Sequence, residues 1–277
     1  MSAILWFDGS LRDPEEPLIR ALDHGFTVGD GVFETCELLD GHVFALTRHL
    51  ARLDRSAAGL GLRTPPEDLL RSAVAEVAAA WDGGPGRLRI TVTAGTAPLG
   101  SERTSASPTL VVAAAPARTP GPMRVHVVPW TRNERSAVAG LKTTSYAENV
   151  VALARAHAEG ADEALFANPR GELCEGSYCT VLVETDAELL APPLSSGCRG
   201  GGPRELVLEW AAAAGLPVRE VTLPIEAIHD VAHAALTSSL KGVVPIVAVD
   251  GRPLQPGPLT ARLSAEFNAR RADNLDP

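Results

Sequence analysis

Seven residues near the middle of the chain, Pro116-Ala117-Arg118-Thr119-Pro120-Gly121-Pro122, hold three prolines and a glycine. Each proline fixes φ and removes a backbone donor, and the glycine adds no helical preference, so the stretch reads as an extended connection. Each side of it carries its own strands and helices. On the N-terminal side, Ile4–Phe7 and Val32–Leu39 are apolar runs closed by Asp8-Gly9 and Asp40-Gly41, both hairpin signals. Leu46, Leu50, Leu53, Ala57 and Leu60 recur at helical spacing behind Thr47, a candidate N-cap, and a second helix is predicted over Glu67–Ala80. Arg87–Thr93 and Thr109–Ala115 read as strands. On the C-terminal side, helices are predicted over Ser145–Glu159, Pro203–Ala214 and Leu259–Arg271. Strands are predicted over Arg124–Val128, Glu163–Ala167, Ser177–Val183, Val218–Leu223, Ala234–Ser238 and Val244–Val249. The pattern implies an α/β (α+β mixed) protein with an N-terminal domain over 1–115, a linker over 116–122 and a larger C-terminal domain over 123–277. A chain of 277 residues is long enough to give both a core.

Composition removes several functions. Lys and Arg number 25 against 34 Asp and Glu, a formal charge of −9, which argues against binding to a nucleic-acid backbone. No apolar run approaches the roughly 18 residues of a membrane span, and the N-terminus lacks a basic segment followed by an apolar one. A cytoplasmic location is expected. The four cysteines, Cys36, Cys174, Cys179 and Cys198, include no C-x-x-C pair, so neither a disulfide scaffold nor a zinc site is expected. The G-x-S-x-G, Gly-Lys-Ser/Thr and H-E-x-x-H motifs are all missing.

Four features carry chemistry. Lys142 lies among small and apolar neighbours, Ala139-Gly140-Leu141-Lys142-Thr143, just before a helix. An amine against apolar walls becomes a nucleophile toward carbonyls, while the same segment also reads as an exposed lysine at a helix entrance. Glu175, between Cys174 and Gly176, suits either a cationic ring nitrogen or a solvated turn. The loop Ser195–Arg204 is glycine-rich, with Pro203 suited to a first helical turn. It reads as an anion cradle or as a mobile surface loop. Arg48, Arg52 and Arg55 share one helix flank, from which one can clamp a phosphate while the others solvate the face.

These signals fall in the order of a known family. The segments Gly29-Asp30-Gly31-Val32-Phe33-Glu34-Thr35, Arg48-His49-Leu50-Ala51-Arg52-Leu53, Leu141–Tyr146, Gly160–Leu165, Leu173–Ser177, Pro192–Cys198, Leu236–Ser239 and Val249–Gly251 run almost the length of the chain. In them the chain resembles the class IV, branched-chain and D-amino-acid type, enzymes of pyridoxal 5'-phosphate (PLP), most of all the aminodeoxychorismate lyases. The resemblance implies the two-domain fold type IV, a homodimer and a small-molecule amine substrate. It implies that Lys142 is the Schiff-base lysine and that Glu175 sits against the pyridine nitrogen. Arg52, Gly202 and Ser239 would hold the phosphate.

Departures refine the expectation. Gly201-Gly202-Pro203-Arg204 stands where the family commonly has Gly-Ile-Thr-Arg, so Pro203 takes away one backbone donor and one hydroxyl. A lost hydrogen bond to a charged group is worth about 1.5–3 kcal/mol, a weaker grip on phosphate. Thr180 replaces a common asparagine, and Leu240-Lys241 is unusual beside Ser239. Leu99 and Ser101 occupy the places of the Arg-x-His carboxylate trap of the D-amino-acid aminotransferases, and Phe33 replaces their tyrosine. The expected activity is conversion of 4-amino-4-deoxychorismate to p-aminobenzoate and pyruvate. The alternatives are an amino-acid aminotransferase, or a PLP-free relative serving as a binding subunit.

Overall fold

Buried and more exposed residues alternate strictly along Gly86–Thr93, the mark of a strand with one face in a core. A computed structural model describes residues 3–104, 107–118 and 121–277. In chain order its first half forms β1 (Ile4–Phe7), β2 (Ser10–Arg12), one helical turn α1 (His24–Thr27), β3 (Gly31–Leu39) and β4 (His42–Val43). Then follow α2 (Leu46–Leu60), α3 (Glu67–Ala80), β5 (Gly86–Thr93) and β6 (Thr109–Pro116). Among the described residues the sheet order is β2-β1-β6-β5-β3-β4, every pair antiparallel. One face carries Val32, Leu38, Leu88, Ile90, Val92, Val112 and Ala114. These pack on Leu50, Leu53 and Ala57 of α2 and on Leu70, Ala73, Val74 and Val77 of α3.

The second half forms β7 (Met123–Thr131), α4 (Ala147–Ala158), β8 (Glu163–Ala167), β9 (Leu173–Gly176), β10 (Thr180–Glu184) and β11 (Leu189–Ala191). It continues with α5 (Pro203–Ala213), β12 (Val218–Glu220), β13 (His233–Ser238), β14 (Gly242–Val249), β15 (Arg252–Pro253) and α6 (Pro258–Asp273). The sheet runs β12-β11-β10-β13-β14-β7-β8-β9, with β15 on β14. It mixes parallel pairs, β7 with β8 and with β14 and β11 with β12, and antiparallel ones. Its core includes Val125, Leu165, Val181, Leu236 and Ile246. Trp210 of α5 meets Phe267 of α6 at 5.0 Å.

The chain divides into two compact units. The first holds Met1–Thr119 together with Leu141–Tyr146 and Leu275–Pro277, and the second holds Pro120–Gly140 and Ala147–Asn274, so the division falls inside the proline-rich stretch. Lys142 is thus a residue of the first unit, although its position in the sequence falls in the 123–277 segment. The reason is hydrogen bonding: Phe33 N–H donates to Lys142 O at 3.1 Å, and Thr144 N–H donates to Gly31 O at 2.8 Å. Within the stretch 116–122, Thr119 and Pro120 lie outside the described residues.

Three local readings need correction. Thr47 is not the N-cap of α2, which begins at Leu46 behind Ala45 in a left-handed conformation (φ 54°). Instead Thr47 donates from its N–H (2.8 Å) and its hydroxyl (2.6 Å) to Asp276. The helix predicted from Ser145 begins at Ala147, because the Ser145 hydroxyl donates to Gly29 O at 3.0 Å. The strand predicted over Ser177–Val183 is interrupted: Gly176 N–H donates to Cys179 O at 2.8 Å, and a bend separates β9 from β10.

Candidate active site

In the first unit Lys142 is held at both ends of its peptide. Its N–H donates to Ser56 Oγ at 3.1 Å, and its carbonyl accepts from Phe33. The side chain is 9% exposed, with Nζ 4.3 Å from the Phe33 ring centre and 5.6 Å from that of Tyr146. The two rings meet edge to face at 5.1 Å. Glycines make this approach possible. A Cβ on Gly31 would lie 2.9 Å from Val92 O and 3.0 Å from Thr144 Oγ1, and one on Gly59 would lie 2.7 Å from Leu141 Cδ2. The Gly-Asp-Gly motif therefore clears room for the lysine segment.

Beside Lys142 in sequence contacts lies a buried ionic group. Glu34, on the α2-facing side of β3, accepts from Arg52 Nε at 2.6 Å and Nη2 at 2.7 Å, and its other partner is His49 Nδ1 at 2.7 Å. Burial alone would push the Glu34 carboxyl up. The Arg52 guanidinium outweighs that, by charge and by hydrogen bonds, and holds it well below the usual carboxylate range. Burial lowers His49 from its ordinary value despite the facing carboxylate. Arg52, read from sequence as a phosphate clamp, is thus already oriented as a fork on Glu34. Arg48 donates to Pro277 O at 2.9 Å, and Arg55 is exposed.

In the second unit Glu175 is the last residue but one of β9 and is 3% exposed. Its Oε2 accepts from Arg199 N–H and Arg199 Nε, each at 3.1 Å, and its Oε1 lies 3.3 Å from Arg132 Nε. The Arg132 guanidinium lies over the Phe166 ring at 4.4 Å and pairs with Glu148. Glycine geometry shapes the start of α5: Gly201 has φ 80° and Gly202 φ 57°, and Pro203 opens the helix. The N-terminus and the dipole of an eleven-residue helix favour an anion there. Arg204 does not share in this. It is buried, donates to Pro192 O at 2.8 Å and pairs with Glu220. Ser239 lies half-buried in the turn between β13 and β14. Arg132, Arg199, Glu34 and His49 were not singled out from sequence. For Glu34 and His49 the signal was present, since both fall inside the motifs quoted above. Arg199 falls inside the glycine-rich loop Ser195–Arg204, though nothing in that loop pointed to Glu175, and Arg132, 43 residues from Glu175, gave no signal.

Among the described residues no group of three or more His, Cys, Asp or Glu could hold a metal ion, and no helix is long and apolar enough to cross a membrane.

Comparison with known proteins fits this geometry. The family model for amino-transferase class IV matches residues 31–249. The chain is 29% identical over 292 aligned positions to the bifunctional aminodeoxychorismate lyase / D-amino acid transaminase of Mycobacterium tuberculosis, covering 95% of this chain and 96% of the relative. It is similar to the fold IV transaminase CpuTA1 of Curtobacterium pusillum, with a TM-score of 0.86, 29% identity and 98% of each chain covered. The PLP-bound form of a hypothetical aminotransferase from Mycobacterium tuberculosis gives a TM-score of 0.86 and 27% identity, over 99% of this chain and 100% of that one.

The residues present suit the cofactor's three functional groups. An aldehyde needs a sheltered amine, a pyridine nitrogen needs a carboxylate, and a phosphate needs backbone donors at a helix start. Lys142, Glu175 and the Gly201-Gly202 turn are of those kinds, and both Lys142 and Glu175 are buried. The chain belongs to the class IV aminotransferase family and is a PLP-dependent enzyme of fold IV.

Proposed function

We propose that the enzyme is a lyase that splits 4-amino-4-deoxychorismate into p-aminobenzoate and pyruvate. The observation that carries the reading is the Lys142 amine, nearly buried against the faces of Phe33 and Tyr146. An amine sheltered from water is placed to join a carbonyl carbon and to carry a proton. Bound PLP supplies an electron sink conjugated to the carbon that bears the substrate nitrogen.

The chain's own residues do the rest. Lys142 Nζ would hold the cofactor until the substrate amine displaces it, and the freed amine would then take the proton from the carbon bearing the substrate nitrogen. Glu175 faces the pyridine nitrogen and orients its proton. Arg52, Gly202 and Ser239 hold the phosphate, and Pro203 contributes no N–H to that grip. Loss of the enolpyruvyl group leaves an aromatic ring. The two products together contain every atom of the substrate, so no amino acceptor and no oxidant enters.

The same relative is named both lyase and transaminase, which supports an amino-acid aminotransferase as the second reading. Product analysis divides them. Pyruvate formed one-for-one with p-aminobenzoate, with no keto acid added, is the expected result, and strict dependence on a keto-acid acceptor would eliminate the lyase. A visible band on adding PLP that is lost in Lys142→Ala is also expected; a protein that stays colourless at saturating PLP would leave only a binding role. The reading includes a homodimer, supported by Phe26 and Leu99 of the first unit, which are 75% and 78% exposed. A monomer mass by light scattering would count against it.

A further inference from the structure

The carboxylate at β9 has more positive charge around it than one ion pair accounts for. Glu175 Oε2 already accepts two hydrogen bonds, both from Arg199, while Oε1 faces Arg132. The side chains of Arg199 and Arg132 are 13% and 17% exposed, so solvent screens neither guanidinium fully. Arg199 also donates from Nη2 to Ser177 O at 3.3 Å, which fixes its fork beside the carboxylate.

Among the described residues of the second unit, other titratable groups lie near this cluster. Glu148 pairs with Arg132 from α4, but is 46% exposed and meets the far side of that guanidinium from Glu175 in the sequence of contacts Glu148–Arg132–Glu175. Cys174 and Cys198 are thiols pushed up by burial first and by the Glu175 charge second, so both are neutral at ordinary pH. Glu163, across β8 from Gly176, is pushed up by burial and is engaged by Ser177 and the Ala164 N–H.

We propose that Arg199 makes Glu175 a shared carboxylate, so that a pyridine nitrogen facing it gives up its proton at lower pH than it would opposite Glu175 and Arg132 alone. The proposal rests on the reading that Glu175 faces the cofactor ring. Its physical basis is Coulombic: a cation fixed in a poorly screened place raises the cost of a second one beside it. Lone pairs add to this, because an oxygen already serving two donors has little left for a third. The cation rides on the loop that opens α5, three residues before Gly202, so the segment expected to grip phosphate also sets the charge at the ring nitrogen. A ring that gives up its proton draws electrons less strongly.

Protein loaded with PLP labelled with nitrogen-15 in the ring tests this, by following the ring resonance against pH. In Arg199→Met and Arg199→Gln the nitrogen should keep its proton to a pH at least about one unit higher than in wild type, a tenfold change in the proton equilibrium. Arg199→Lys, which keeps the charge, should titrate with wild type. The glutamine variant retains a side-chain donor, so it separates charge from packing. Coincident titrations in wild type and both neutral variants overturn the proposal, as does a lysine variant that follows the neutral ones. If instead the wild-type visible band survives Lys142→Ala, the underlying assignment of the site fails, and that result is distinguishable from the first two.

Discussion

Glu34 is fully buried, and it stays charged because Arg52 and His49 bracket it. Since its folded proton affinity lies below the unfolded one, the stability it contributes is present above the unfolded value of roughly 4.3 and is lost as pH falls through the folded value. Arg52→Gln leaves a buried carboxylate without its strong partner and should cost about 3–5 kcal/mol at pH 7. Without Arg52, burial pushes the Glu34 carboxyl up and protonating it relieves that cost, so the gap between variant and wild type should narrow as pH falls, beginning above the unfolded value. Urea unfolding at several pH values checks both the size and the sign. The same variant should bind PLP more weakly if Arg52 is also the phosphate arginine. At Gly31 there is no room for a methyl group: its Cβ would fall 2.9 Å from Val92 O. Gly31→Ala should displace the Thr144 strand partner and with it Lys142, and the visible band with PLP should weaken at saturating cofactor while the fold survives by circular dichroism. Candidate residues were legible one at a time. Their partners were not, because the contacts that matter, Phe33 to Lys142 or Glu175 to Arg199, join residues far apart in sequence.

Elements with a strong period were the easiest to read. The bounds predicted for α3, Glu67–Ala80, are those found, since Pro65-Pro66 and Asp82-Gly83-Gly84 punctuate both ends. Failures came where a side chain from elsewhere took over the backbone's usual job. α2 draws its cap from Asp276 rather than Thr47, and Ser177 turns toward Glu163 rather than continuing a strand. Asp276→Ala should therefore destabilise α2 by about 1 kcal/mol, and at most about 2, although 229 residues separate Asp276 from Thr47. A lower thermal midpoint with unchanged PLP absorbance is the expected signature. At α5, Pro203→Thr restores an N–H and a hydroxyl at the first helical position. PLP affinity should rise by roughly tenfold to a hundredfold, measured by fluorescence titration.

For the molecule as a whole, all four cysteines are free and buried, and burial pushes each thiol up. Cys36 belongs to the first unit and the other three to the second. A thiol-specific chromogenic reagent should find almost nothing in the native protein and four groups in denaturant. Intermediate denaturant that releases three thiols before the fourth would show the units opening separately. The alternation of strands and helices, and hence a mixed α/β protein, followed from hydrophobic period and turn residues alone. The assignment of Lys142 to the first unit could not follow from them, because hydrogen bonds to β3 rather than position in the chain decide it. The segments Leu141–Tyr146 and Leu275–Pro277 make the first unit's sheet and α2 depend on residues synthesised well after them. During translation that sheet acquires its amine only after residue 142 has left the exit tunnel, and α2 waits for its cap until residue 276 emerges. The N-terminal half is born incomplete, and a ribosome stalled anywhere between holds an enzyme with one of its helices still open.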